Sequence, residues 1–246
     1  APSTLDRLVQ LEESSRYANV SPDARWVAAT AADDILRILD ARTGRVVNTI
    51  HTGTSFPLAP VFSGDSELVA VESADGTVTV WDVASGRPIG DSIEVPGGGP
   101  AYGLFAVGDP EHLYLGGHDG TVSVVTIGGA EAPAALFRTD GSIDPQLPLA
   151  VLASNDGRRL SVGDPGSPRS TTVFDVPTNQ ITAVVPGAPG GFDAHGDTVL
   201  TIDRDSVHRW DASTGALLQT FGGIDEPFSI PSQSPDGRYV AFVSDR

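Results

Sequence analysis

One short motif recurs through this chain at intervals of about 40 residues, and that spacing constrains the fold more than any other feature. The copies are Ser21-Pro22-Asp23-Ala24-Arg25, Ser63-Gly64-Asp65-Ser66-Glu67 and Gly108-Asp109-Pro110-Glu111-His112, followed by Ser154-Asn155-Asp156-Gly157-Arg158, Ala194-His195-Gly196-Asp197-Thr198 and Ser234-Pro235-Asp236-Gly237-Arg238. Successive copies start 42, 45, 46, 40 and 40 residues apart. Repeats of this length are supersecondary units that bury their apolar faces by stacking on their neighbours. The chemistry is that of a hairpin turn. Pro presets φ, Asp bonds nearby backbone and Gly accepts positive φ. Val27, Leu68, Leu113, Leu160, Val199 and Val240 then begin or continue β-rich runs.

A second motif follows about twenty residues later: Asp40-Ala41-Arg42-Thr43-Gly44, Asp82-Val83-Ala84-Ser85-Gly86, Asp175-Val176-Pro177-Thr178-Asn179 and Asp211-Ala212-Ser213-Thr214-Gly215. Gly or Asn closes each one, as a left-handed position requires. The third repeat departs, with Val125-Thr126 and the irregular Gly128-Gly129. Ahead of Asp82, the run Thr77-Val78-Thr79-Val80 alternates strictly, placing Val78 and Val80 on one face of a strand. Each repeat therefore holds four strands. In the fifth repeat they fall at 189–193, 197–202, 206–210 and 216–221.

Two copies of the second motif carry a Trp-Asp pair, Trp81-Asp82 and Trp210-Asp211; Phe174-Asp175 and Leu39-Asp40 are weaker versions. Four-stranded units with Trp-Asp at the end of the third strand resemble WD40 repeats along essentially the whole chain. The resemblance implies an all-β fold, a β-propeller of four-stranded antiparallel blades with about six blade-equivalents. The Gly-His dipeptide usual in such repeats is missing from its expected places. Gly117-His118 stands in a loop between strands, which puts the family's buried His–Ser–Asp–Trp network in doubt. Single-blade likenesses exist elsewhere. Ser234 to Arg246 is similar to TolB-type and prolyl-oligopeptidase-type propellers, and Asp211 to Gly215 is similar to a quinoprotein repeat.

Residues 1–246 read as one propeller domain belonging to a longer protein. Leu5 to Leu11 resemble an outer fourth strand, while the C-terminal repeat stops after two strands. The two ends could share an incomplete closing blade, since closure removes exposed edges. A trimmed chain, a six-bladed ring with a defective blade and a seventh blade further downstream all remain open.

The chain has no Cys and no Lys, so thiol chemistry, Cys–metal sites, Schiff bases and the P-loop lysine are excluded. Basic residues are all Arg, a usage that suggests a GC-rich bacterial genome. No stretch is long and apolar enough for a membrane-spanning helix, and no secretory leader opens the sequence, which favours the cytoplasm. A net charge of −17 opposes phosphate backbones and anionic membrane surfaces and permits a basic protein or peptide. His51, His112, His118, His195 and His208 form no metal-ligating pair. There is no Gly-x-Ser-x-Gly elbow. Asp203-Arg204-Asp205 lacks the remaining ligands of a calcium loop, and Gly97-Gly98-Gly99 opens no helix and reads as a link between strands. Trp26, Trp81 and Trp210 read as blade packing. We therefore expect no catalytic residue, no metal site and no cofactor.

The expected function is a non-catalytic protein-interaction or sensor module. By resemblance, it could be the C-terminal sensor of a bacterial signalling NTPase or regulator. The alternative is a propeller attached to or gating a hydrolase or peptidase of the TolB or prolyl-oligopeptidase type; a quinone-cofactor protein ranks third. Partner contact is expected in the loops His51 to Phe56, Pro100 to Tyr102, His118-Asp119, Asp164 to Arg169 and Arg204-Asp205. The candidate anchors are His51, Phe56, Tyr102, His118, Arg169 and Arg204, because Arg and aromatic side chains dominate interface energetics.

Overall fold

The hairpin motifs fold as their chemistry dictates. Ser21 Oγ donates to Asp23 Oδ1 at 2.7 Å, and the Trp26 amide donates to Ser21 Oγ at 2.9 Å. Ser63 repeats this with Asp65 and the Leu68 amide, at 2.6 and 2.9 Å. Ser154 repeats it with Asp156 and the Arg159 amide, at 2.7 and 2.9 Å. The structure, a computed structural model, describes residues 17–30, 34–53, 59–73, 75–97, 102–106, 109–117, 119–139, 150–154, 156–164, 170–193, 195–203, 205–222, 232–233 and 240–241.

Among the described residues every regular element is a strand. Blade 1 holds β1 (Tyr17–Val20), β2 (Trp26–Thr30), β3 (Ile35–Asp40) and β4 (Val46–His51). Blade 2 holds β5 (Val61–Phe62), β6 (Leu68–Glu72), β7 (Thr77–Asp82) and β8 (Ile93–Glu94). Blade 3 holds β9 (Tyr102–Ala106), β10 (Asp109–Gly116), β11 (Thr121–Thr126) and β12 (Ala134–Arg138). Blade 4 holds β13 (Ala150–Ala153), β14 (Arg159–Asp164), β15 (Ser170–Asp175) and β16 (Gln180–Pro186). Blade 5 holds β17 (Ala188–Phe192), β18 (Thr198–Asp203), β19 (Ser206–Asp211) and β20 (Leu217–Gly222), each within one residue of expectation. A sixth sheet pairs β21 (Ser232–Gln233) with β22 (Val240–Ala241). Each blade pairs neighbouring strands antiparallel in chain order.

The apolar core lies between blades rather than within them. Leu36 and Ile38 of blade 1 pack with Val69, Val71 and Trp81 of blade 2. Val78 and Val80, on one face of β7 as their alternation requires, pack with Leu113 and Leu115 of blade 3. Tyr114 and Val122 then meet Leu160 and Phe174 of blade 4. Val173 and Val185 meet Val199 and Ala212 of blade 5. Leu200 and Val207 pack with Val240 of the sixth sheet. The first strands of successive blades touch one another, from β1–β5 through to β17–β21, so they form the inner wall of the arc.

The third repeat corrects the sequence reading. Gly108 to His112 was expected as a turn, but β10 already begins at Asp109, which pairs with Ala106. The register then shifts between Asp109 and Leu113. Pro110 has no N–H to give the ladder, which suits it to such a bulge. The Asp109 carboxylate is drawn to side chains instead of turn amides. It lies 2.9 Å from His112 Nδ1 and accepts from the Tyr114 hydroxyl at 3.1 Å. The sixth hairpin motif and the Leu5 to Leu11 strand lie outside the described residues.

Candidate functional site

In a four-stranded meander, the second-to-third connection and the link to the next blade leave from one face. The other two turns leave from the opposite face. Every expected contact loop falls in connections of the first kind. His51 ends β4, where its side chain is 71% exposed and its Nδ1 lies 3.8 Å from Asp34 Oδ1. Tyr102 opens β9, paired with Gly116. Phe56, His118, Arg169 and Arg204 lie outside the described residues, as does any contact among the six candidates beyond these two facts.

The opposite face is built from the Asp-x-x-x-Gly turns, and its carboxylates are committed to backbone geometry. Asp40, Asp175 and Asp211 each accept from the Thr hydroxyl three residues on, at 2.7, 2.6 and 2.9 Å. Each also accepts from that Thr amide, at 2.7, 2.9 and 2.8 Å. These hydroxyls, and Ser85 in the case of Asp82, hold all four carboxyls below the usual Asp range. Gly44, Gly86, Asn179 and Gly215 close the turns at φ between 55° and 71°, the left-handed region.

After β10, at Gly117, the connection within blade 3 meets the link from blade 2 backbone to backbone. A Cβ on Gly117 would overlap the Pro96 carbonyl, and one on Gly97 would overlap the Asp119 carboxylate. That carboxylate accepts from the Thr121 amide and hydroxyl, both at 2.9 Å. The Trp legs of the network differ between blades. Trp210 Nε1 donates to Thr201 Oγ1 at 2.8 Å, whereas buried Trp81 Nε1 has no acceptor among the described residues.

Sequence reasoning missed Glu72. It ends β6, is 4% exposed, and its Oε1 has no partner among the described residues. Burial pushes its carboxyl up to about 9. The only signal was an acid closing the apolar run Leu68-Val69-Ala70-Val71, and nothing in the sequence says which way that acid faces. No group of three or more His, Asp or Glu that could hold a metal occurs among the described residues. No helix among them is long and apolar enough to cross a membrane.

The chain shares its shape with the β-propeller domain of Myceliophteria thermophila Cps50 (Swd1). The TM-score is 0.73 over 94% of this chain and 80% of that one, at 15% identity. In sequence it is 27% identical, over 228 residues, to an uncharacterized WD repeat-containing protein of Schizosaccharomyces pombe. That alignment covers 82% of this chain and 53% of the relative. A Dictyostelium discoideum WD repeat-containing protein 55 homolog is 22% identical over 95% of this chain and 56% of its own length. The chain has a β-propeller fold and is similar in sequence to WD repeat proteins. An Arabidopsis thaliana pre-mRNA-processing factor 19 homolog 2 is 25% identical over 98% of the propeller and 47% of that protein. The propeller thus spans about half the length of the curated relatives it matches. No family model matches the chain. All three relatives are eukaryotic, so they lend nothing to the bacterial reading of the Arg-only composition.

Proposed function

We propose that this propeller is a non-catalytic protein-interaction scaffold whose partner is basic. The reading is supported by how the chain uses its carboxylates. Those of the repeated turns fix backbone geometry, and the chain as a whole carries 32 acids against 15 Arg. A surface potential of one sign steers and selects an oppositely charged protein. The interblade cores hold the loops of the His51 and Tyr102 face on a stiff frame, which is where binding loops gain precision. The sequence relatives are WD repeat proteins, which agrees with a scaffold. They lend no support to a signalling-NTPase sensor or a peptidase gate.

The test is affinity capture with the intact protein, followed by binding of the recovered partner after purification. The reading predicts a partner that binds directly, dissociates as salt rises, and is weakened by charge reversal of acids on this loop face, Asp34→Arg and Asp205→Arg. Binding that ignores salt and all of these loops would overturn it.

A further inference from the structure

Blade 2 has an unusual outer edge. Its fourth strand, β8, is two residues long, whereas those of the other four-stranded blades have five to seven. The chain leaves the ladder after a bridge from Pro88 to Trp81 and a bond from the Ile89 amide to the Val80 carbonyl. It turns at Gly90, with φ 72°, and rejoins at Ile93. Ser92 lies 2.8 Å from Thr79, its Oγ against Thr79 Oγ1, beside the gap.

The adjoining blade is irregular at the same place. Blade 3 lacks the Asp-x-x-x-Gly turn and links β11 to β12 through Ile127 to Pro133. Gly90 and Gly128 abut; a Cβ on Gly90 would sit 3.5 Å from Gly128 Cα. The two irregularities leave a groove of about 520 Å³ between the blades. Ile89, Ile93, Val125, Ala130, Ala132 and Pro133 supply its apolar lining. Its only charged lining residues are Asp91, Glu94 and Glu131, all exposed. None makes an ion pair among the described residues.

We propose that this groove binds an extended basic peptide segment of the partner protein. The inference rests on the reading of a basic partner but not on the His51 and Tyr102 face. An edge strand offers backbone groups to an added strand, and alternate side chains of that strand would meet the apolar lining and the acidic rim. Charge decides the occupant. Three carboxylates with no ion pair among the described residues select Arg or Lys, and a second copy of this chain, itself at −17, is disfavoured.

The experiment titrates the intact protein with a fluorescein-labelled peptide of alternating arginine and valine, read by anisotropy at low salt. The triple variant Asp91→Asn, Glu94→Gln, Glu131→Gln is compared with a charge-matched control at exposed acids outside the groove lining and the contact loops, Glu67→Gln, Glu111→Gln, Asp197→Asn. The groove variant should bind about tenfold more weakly, the sum expected of three exposed ion pairs, and the control should bind as wild type. Ala132→Trp, which fills the groove without changing charge, should weaken binding as well. Equal losses in both triple variants would overturn the groove while leaving a basic partner in place. Binding unaffected by any variant, or no binding to the wild type, would also overturn the groove; the captured partner then judges the broader reading separately.

Discussion

Trp210 Nε1 donates to Thr201 Oγ1 at 2.8 Å, and Trp81 occupies the same place in blade 2 with Val71 where that threonine should be. In each blade the residue concerned stands two positions after the strand partner of the Trp, Val199 in one and Val69 in the other. Losing the hydroxyl leaves the Trp81 N–H buried and without an acceptor among the described residues. An unsatisfied buried donor costs about 1–3 kcal/mol. Val71→Thr should therefore raise stability, by about 1 kcal/mol or ~2–4 °C in Tm. The gain should vanish in a Trp81→Phe background, where no N–H remains. Thr201→Val should cost about 1–2 kcal/mol. Thermal melts of this double-mutant cycle decide it; a gain that persists without the indole contradicts the account.

Glu72 makes stability fall as pH rises. Its folded carboxyl is pushed up to about 9 by burial, against 4.5 unfolded. The folded state thus holds a proton that the unfolded chain has lost. The stabilising effect of that proton is complete below pH 4.5 and is lost as pH climbs toward 9. Glu72→Gln, which cannot ionise, should flatten the decline in Tm through this window. An unchanged slope would show that the carboxyl is not held protonated.

The turn carboxylates act in the opposite direction. Asp40, Asp82, Asp175 and Asp211 lie below the ordinary value of 3.8, chiefly through Thr or Ser hydroxyls. Their contribution is present above that value and is lost as acid protonates them below it. Asp211→Asn should lower the urea midpoint at neutral pH and reduce its further fall on acidification. A variant as acid-sensitive as wild type would argue against this role.

Ala24 and Ser66 occupy the turn position where Gly157 and Gly196 stand in later blades, with φ of 58° and 65°. The left-handed region strains a side chain. Ala24→Gly should stabilise the protein by about 0.5–1 kcal/mol. Ser66→Gly should not, because Ser66 Oγ accepts from the Asp23 amide at 3.1 Å and ties blade 2 to blade 1. Denaturant unfolding of the two variants separates the effects.

The fold was legible because its information is local. A Ser-x-Asp turn or an Asp-x-x-x-Gly turn is closed by atoms within five residues, so Ser21, Asp40 and Asp211 announce themselves in the sequence. Gly108 to His112 looked like another such turn and misled, because Asp109 answers to His112 and Tyr114 across a bulge. The site was less legible. His51 ends β4 with its side chain exposed, but the groove needs Gly90 of one blade against Gly128 of the next. Contacts between repeats leave no spacing signal, and Gly128-Gly129 read only as an irregularity. Glu72 was silent for a related reason: the continuous apolar run Leu68-Val69-Ala70-Val71 does not alternate, so it neither assigns the acid a face nor says what covers it.

The central claim is that this propeller binds a basic protein on a fixed, loop-bearing frame. Hydrogen–deuterium exchange of the intact protein, with and without its purified partner, tests it most directly. The account predicts protection confined to the His51 and Tyr102 connections and the Ile89 to Glu94 edge, with the turn amides of Thr43, Thr178 and Thr214 unchanged. Protection spread evenly over both faces, or centred on those turns, would contradict it.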